Sequence, residues 1–573
     1  MLKLLKYLKF YKKESILGPL LKLAEAALEL LVPLVISAVI DYGINGTAGR
    51  GYVVRMCLVL VLLGAVGLLF SVTAQYFAAK AAAGFAAKVR LALFKHVQAL
   101  SYSELDALGT STMVTRLTSD MNQVQNGINL TLRLLLRSPF VVLGSMVMAF
   151  TIDAHLALIF AVIIPVLAAV VFTVMFVCVP MYRKVQQKLD GVLSATRETL
   201  NGVRVIRAFC REKEEVERFR GRNEELTRAQ VFTGRIAAVL NPLTFVLINL
   251  AVVVLIWKGA VRVEAGLVTQ GALIALYNYT AQILTELIKL ANLIISVTKS
   301  VASGNRIQAM LEVVPSQEEG AGDPADRQAP AVEFENVSLC YGANREPSIA
   351  GISFQARQGE TIGIIGGTGA GKTSVVNLIP RFYDATEGVV KVFGADVKDY
   401  SFAALREKIG VVPQHSHLFK GTIRENLLWG NEQASDEELL AAAQTAQALE
   451  IIRQKGGLDA EIEPNGRNLS GGQKQRLTIA RALVKKPRIL ILDDSSSALD
   501  YATDAALRRA LNALEGMTVF IVSQRTASLR HADKILVLED GALTAMGSHE
   551  SLLKESPVYR EIYFSQVREA KEA

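Results

Sequence analysis

The sequence predicts a multi-domain chain: an all-α domain of six membrane-spanning helices, followed by an α/β domain. Three observations carry this. Apolar residues gather in long runs before about residue 300 and then thin into an ordinary globular mix. Val314–Pro330 (VPSQEEGAGDPADRQAP) is rich in Pro, Gly and acid, the composition of a linker. From Val332 onward, short β-like runs alternate with helical segments.

Composition agrees. Of the 573 residues, 51% are hydrophobic and mean hydropathy is +0.31, unusual for a soluble enzyme of this length. The net charge of +8 does not mark a nucleic-acid surface, because many Lys and Arg flank the apolar segments. Cys57, Cys178, Cys210 and Cys340 show no metal or disulfide spacing and read as buried spectator thiols.

In chain order, residues 1–13 (MLKLLKYLKFYKK) interleave Lys with Leu and lack a cleavage site, so they read as an interfacial helix, not a signal peptide. Leu4, Leu5 and Leu8 share one helical face there. Residues 14–310 hold the membrane domain. Its helices run from about Ile16 to Ile40, from near Tyr52, around Ser138–Thr151, over Ala154–Val179 and Leu243–Trp257, and from near Gly271. Crossing a bilayer core of ~30 Å takes about 20 residues, so several segments must recruit flanking turns. Lys80–Arg137 and Arg183–Arg235 are dense in cations, whereas Asp41–Gly51, Ile152–Ala154 and Ala260–Gln270 carry almost none. The basic stretches and both termini are therefore expected in the cytoplasm, with helices running well past the membrane. Residues 311–330 form the linker and 331–573 the α/β domain.

Three motifs carry chemistry. GGTGAGKT places Gly366, Gly367, Thr368, Gly369, Ala370, Gly371, Lys372 and Thr373, with Ser374 following, behind the apolar strand TIGII. Glycines let backbone N–H groups close around phosphate oxygens, Lys372 adds positive charge and Thr373 offers a hydroxyl to Mg2+. ILILDD ends a buried strand in acids, and Asp493 is the expected Mg2+ ligand. NLSGGQKQR sets Ser470 as helix cap before Gly471, Gly472 and Gln473, an anion-binding start or a plain capped helix.

LSGGQ between a phosphate loop and an apolar-DD strand resembles the signature of the ATP-binding cassette (ABC) transporter family, and the resemblance extends over nearly the whole chain. It implies an exporter-type membrane fold (type IV exporter-like) joined to a P-loop NTPase cassette, with ATP and Mg2+ as cofactors. By resemblance, Tyr341 stacks on adenine and Gln414 touches Mg2+. SALD (Ser497–Asp500) faces a partner cassette. Asp106–Asp120 and Glu198–Phe209 resemble cytoplasmic coupling segments. Each ATP then lies between one phosphate loop and the other cassette's signature.

Two positions depart from the family pattern. Asp494 stands where a catalytic Glu is usual, one methylene shorter, and Gln524 stands where a His is usual. These changes imply one half of a heterodimer whose own site hydrolyses ATP slowly, while Ser470, Gly472 and Gln473 complete a working site on the partner subunit. The other reading is a homodimer with weak but adequate activity.

In the membrane domain, Lys22, Glu25 and Glu29 share a face of the first helix, and Asn278, Gln282, Glu286 and Lys289 share one on the sixth. Arg133 and Arg137 lie one turn apart at the start of the third. Two readings stand. Glu25, Glu29, Asn278, Gln282 and Glu286 line a substrate cavity whose acids favour cationic amphipathic substrates, or Lys22–Glu25 and Glu286–Lys289 pair within their helices. The expected activity is ATP-driven export of amphipathic small molecules, lipids or peptides across the cell membrane. Import of a metal chelate or nutrient and an ATP-gated channel or sensor are the alternatives. Six membrane helices argue against a cytoplasmic ATPase acting on DNA or RNA.

Overall fold

A computed structural model describes residues 1–46, 49–326, 328–342, 346–495, 499–514 and 516–572. The chain forms two compact units: Met1–Gln98 with Thr110–Val313, and Ala99–Gly109 with Val314–Ala573.

The first unit is all-helical. Six helices are long and apolar enough to cross a membrane: Lys3–Ile44, Gly49–Ala99, Thr110–Ile152, Ala154–Asn201, Glu212–Glu264 and Gln270–Leu311. Each is 42 to 53 residues long, more than twice what a bilayer core requires, so they extend beyond it. Polar caps set their starts. Asp153 Oδ1 accepts from Leu156 N at 2.8 Å at the fourth span, and Thr269 Oγ1 accepts from Ala272 N at 3.2 Å at the sixth. Small residues let helices touch. A Cβ on Gly127 would fall 2.2 Å from Ser300 Cβ, so Gly is what allows the third and sixth spans this close. Tyr279, fully buried on the sixth span, donates to the Leu30 carbonyl of the first at 2.6 Å.

The N-terminal segment differs from expectation. Leu2–Tyr11 winds as a 3₁₀ helix. Its tighter turn separates Leu4, which is buried, from Leu5, which is exposed. Cys57 and Cys210 are exposed, not buried. Cys57 lies on the second span, whose most apolar stretch buries nothing within the chain. In a membrane an apolar residue can meet lipid instead of protein, so hydropathy does not report burial there.

The second unit is α/β. Its strands are β1 (Val332–Leu339), β2 (Ile349–Ala356), β3 (Thr361–Gly366), β4 (Glu387–Val392), β5 (Ala395–Asp396), β6 (Ile409–Val412), β7 (Gly421–Thr422), β8 (Glu461–Ile462), β9 (Ile489–Asp493), β10 (Thr518–Val522), β11 (Lys534–Glu539) and β12 (Ala542–Gly547). The main sheet runs β12-β11-β3-β10-β9-β6, parallel except for β12 at its edge. Strands β9 and β10 are buried at every position, which explains why they read as continuous apolar runs without alternation. A second, antiparallel sheet is ordered β2-β1-β4-β5.

Two segments expected elsewhere belong to this unit. The helix Tyr102–Leu108, between the second and third spans in sequence, packs here, with the Tyr102 ring 4.7 Å from Phe382. Asp120 does not follow it. That residue sits in the membrane unit, ion-paired to Arg116 at 2.6 Å and to Arg306. The expected linker is stitched down: Gly320 N donates to Tyr400 O at 3.1 Å and Ser401 N to Gly322 O at 2.9 Å. Asp323 pairs with Lys408 at 2.7 Å. Within Glu198–Phe209, a short helix covers Val203–Ala208.

Candidate functional site

The pocket of the second unit lies at the C-terminal edge of the parallel sheet, where chains leaving adjacent strands diverge. It is a cavity of about 250 Å³, lined among others by Thr368 to Ser374, Gln414, Asp493, Asp494 and Gln524. Register explains the gathering. Asp493 ends β9 opposite Val522 on β10, and Val522 pairs with Ile364 on β3, two residues before the loop opened by Gly366. Residues far apart in sequence therefore leave the sheet side by side.

Of the loop Gly366–Gly371, Thr368 to Gly371 line the cavity. Gly369 and Gly371 adopt φ of +85° and +86°, a region L side chains rarely enter. A Cβ at Gly367 or Gly369 would meet nothing within 4 Å, so both face open space. At Gly371 it would strike the Ser348 carbonyl at 2.6 Å. Lys372 Nζ donates to the loop carbonyls of Gly366 at 3.0 Å and Gly367 at 2.6 Å. Burial lowers its pKa below that of an ordinary lysine, a desolvation cost that an anionic ligand beside it would offset.

Across the cavity Thr373 Oγ1 donates to Asp493 Oδ1 at 3.1 Å. Burial raises Asp493, and it raises Asp494 against the opposing pull of Lys372 and Arg525. Gln414 hydrogen-bonds Asp494. Asp494 has φ of +47°, a left-handed conformation that a short Asp tolerates better than most residues. Among the described residues no three His, Cys, Asp or Glu gather as a metal cage. A carboxylate and a hydroxyl that already touch instead suit Mg2+, which keeps phosphate and water among its ligands. The donors and the glycine-rich cradle fit a nucleoside triphosphate with that ion.

Gln524 follows β10, and a clamp that sequence reading missed holds its loop. Gln566 Nε2 donates to Gln524 O at 2.6 Å, while Gln566 Oε1 accepts from Thr526 N at 2.9 Å and Thr526 Oγ1 at 2.8 Å. No local motif marks Gln566, which lies 42 residues downstream of Gln524.

Other expected residues stand outside the lining. Tyr341 donates to Ser374 Oγ at 3.0 Å and meets Tyr383 edge-on, ring centroids 4.9 Å apart. Ser470 and Gln473 form a reciprocal cap on the helix Gly471–Val484, with Ser470 and Gly471 exposed and Gly472 half-buried. Asp500 caps Tyr501–Asn512, both its oxygens taken by Thr503 at 2.8 Å. Ser497, named with it, lies outside the described residues.

Residues 15–287 match the ABC transporter transmembrane region and residues 349–497 match the ABC transporter family. An uncharacterized ABC transporter ATP-binding protein of Bacillus subtilis (strain 168), YfiB, is 37% identical over 100% of both chains. The chain belongs to the ABC transporter family. An ATP-dependent lipid A-core flippase of Desulfotalea psychrophila is 33% identical over 83% of this chain and 84% of that one. A bacterial Atm1-family ABC exporter solved with ATP bound shares the fold, with a TM-score of 0.79, 24% identity and 98% of each chain covered. This ABC transporter thus joins an exporter-fold membrane region to an ATP-binding cassette. ATP hydrolysis is coupled to transport, and the cassette of this multi-pass membrane protein is cytoplasmic.

The transporter's membrane unit holds a second cavity, of about 290 Å³. Glu29, Asn278, Gln282 and Glu286 line it; Glu25 does not. Lys22 holds Glu25 at 2.5 Å and also donates to Ser71 Oγ at 3.0 Å. Lys289 holds Glu286 at 2.8 Å, so both within-helix pairs form. Beyond them, Arg137 of the third span reaches Glu29 at 2.6 Å and Glu286 at 2.5 Å, and Ser138 Oγ donates to Glu286 at 2.8 Å.

Proposed function

We propose that this chain exports amphipathic small molecules, lipids or peptides as one half of a heterodimer with one degenerate ATP site. The observation that carries the reading is that Asp494 and Gln524 line one cavity with Lys372 and Thr373, while Ser470 to Gln473 do not. Such a cavity lacks half of its anion donors until a second cassette supplies a signature. The exposed Ser470 and Gly471 are free to complete a partner's site in return.

In this reading Lys372 and the loop N–H groups hold the phosphates, while Thr373, Asp493 and Gln414 hold Mg2+, which screens phosphate charge when bound. Tyr341 supports the base. Asp494 accepts the proton of the attacking water, and Gln524 donates a hydrogen bond to the terminal phosphate. The Asp carboxylate is one methylene short, and Gln524 carries no titratable proton, so in-line attack is poorly supported.

The lipid A-core flippase among the relatives supports lipid or amphipathic cargo. The test is ATPase activity of the purified chain in lipid beside Asp494→Glu/Gln524→His. A nearly inactive wild type and a strongly gaining double variant support the heterodimer. A wild type hydrolysing ATP at an ordinary exporter rate as a dimer of itself would overturn it.

A further inference from the structure

The acids of the membrane cavity are not free to attract cations. Glu29, Arg137, Glu286 and Lys289 form a chain of alternating charge, linked at 2.6, 2.5 and 2.8 Å. Its middle is closed: the Arg137 and Glu286 side chains are 8% and 3% exposed. Its ends are open: the Glu29 side chain is 42% exposed and that of Lys289 41%. Both ends line the same cavity. The three contacts and the guanidinium fork between them hold the two ends no farther apart than about 10 Å. Lys22 and Glu25, the remaining charges of the first helix's face, neutralise each other nearby.

The network is therefore balanced, and a lone cation entering it gains one carboxylate already shared with Arg137. A lone anion meets the converse at Lys289, already held by Glu286. A ligand bearing both charges can engage both open ends without breaking the buried pairs, where removal of a partner is most costly. Neighbouring groups complete such a site. Gln282 Oε1 is buried with no hydrogen-bond partner among the described residues, a carbonyl dipole whose negative end can favour a cationic group. Val32, Pro33, Ile36 and Val141 supply an apolar wall.

We infer that the cavity selects a zwitterionic amphiphile, its cationic group at Glu29, its anionic group at Lys289 and its chain against the apolar wall. This rests on the export reading for its physiological meaning, but binding is testable without it.

The probes are an alkylphosphocholine, an alkyltrimethylammonium and an alkyl phosphate of one chain length. Binding is measured by calorimetry to the full chain in lipid nanodiscs without nucleotide. The phosphocholine is expected to bind at least several-fold more tightly than either singly charged probe. Lys289→Gln should move the preference to the ammonium and Glu29→Gln to the phosphate. Equal binding of all three probes to the wild type, or tightest binding of the ammonium, overturns the inference whatever the variants do. ATP-dependent movement is read separately in proteoliposomes. Phosphocholine bound but never moved removes the export reading and leaves the site. Ammonium moved without phosphocholine binding does the reverse.

Discussion

Tyr383 donates its hydroxyl hydrogen to Asp106 Oδ2 at 2.6 Å while its ring makes a T-shaped contact with that of Tyr341, centroids 4.9 Å apart. Asp106 lies on the short helix between the second and third spans in sequence, and Tyr341 bonds Ser374 beside the phosphate loop. One side chain thus touches both the nucleotide pocket's support and the segment that continues into the membrane helices. Burial and the acceptor Asp106 push the Tyr383 phenol well above its ordinary pKa, so it remains a donor throughout the working pH range.

Tyr383→Phe keeps the ring and removes that bond, worth about 1 kcal/mol. ATP affinity should stay within about twofold, while the stimulation of ATPase by transport substrate should drop. Measuring both on the same preparation checks this; a large fall in ATP affinity with coupling intact would contradict it.

Measured without nucleotide, the cassette should be pH-sensitive through its buried carboxyls. Asp493 and Asp494 are raised by burial, so each holds its proton more tightly folded than unfolded. Their ionised forms therefore cost stability. The cost is absent below the unfolded value of about 4 and complete above the raised folded value. Asp493→Asn should raise the unfolding midpoint of the nucleotide-free chain at neutral pH, by about 2–4 °C for each kcal/mol recovered. The gain should shrink as pH falls toward 4. Thermal scans of both proteins over that range would show it, and magnesium-dependent ATP binding should be lost in the variant.

Arg137 carries two acids. Arg137→Met leaves Glu286, which is 2% exposed, to Lys289 and Ser138 alone, and should destabilise the membrane unit by up to about 3 kcal/mol. Arg137→Met/Glu286→Met removes charge on both sides and should recover much of the loss. Midpoints in detergent test the pair; equal losses in single and double variants would show that packing, not charge, dominates.

Gly371→Ala places a methyl against the Ser348 carbonyl in a backbone region unfavourable to Ala. Loss of ATP binding of at least tenfold, read by fluorescent-nucleotide titration, is expected from a displaced loop. Gly367→Ala, whose Cβ meets nothing within 4 Å of protein and whose residue does not line the cavity, should fold normally and keep ATP affinity within about threefold.

What the sequence by itself determined is whatever neighbouring residues decide. Apolar runs specify helices that can cross a membrane, and glycine spacing specifies the loop from Gly366 to Thr373. An apolar strand ending in acids delivers Asp493 to Thr373 because the P-loop and that strand share one sheet. Even the within-helix pairs Lys22–Glu25 and Glu286–Lys289 were legible, since three residues span less than one turn.

Tertiary structure alone decided which distant partners met. Arg137 reaches Glu29 and Glu286 across 108 and 149 residues, and nothing local to Arg137 names either. Helix faces indicate which residues share a side, not which other helix lies opposite, so Glu25 looked equivalent to Glu29 until packing excluded it from the cavity. The same holds for Ala99–Gly109, which is continuous with membrane helices yet packs with the cassette, and for Gln566 beneath Gln524. Backbone conformation follows from sterics within a few residues. Ion pairs and cavities depend on where whole elements are held: burial of apolar surface sets that placement in the cassette, and close packing with interhelical polar contacts sets it between membrane helices.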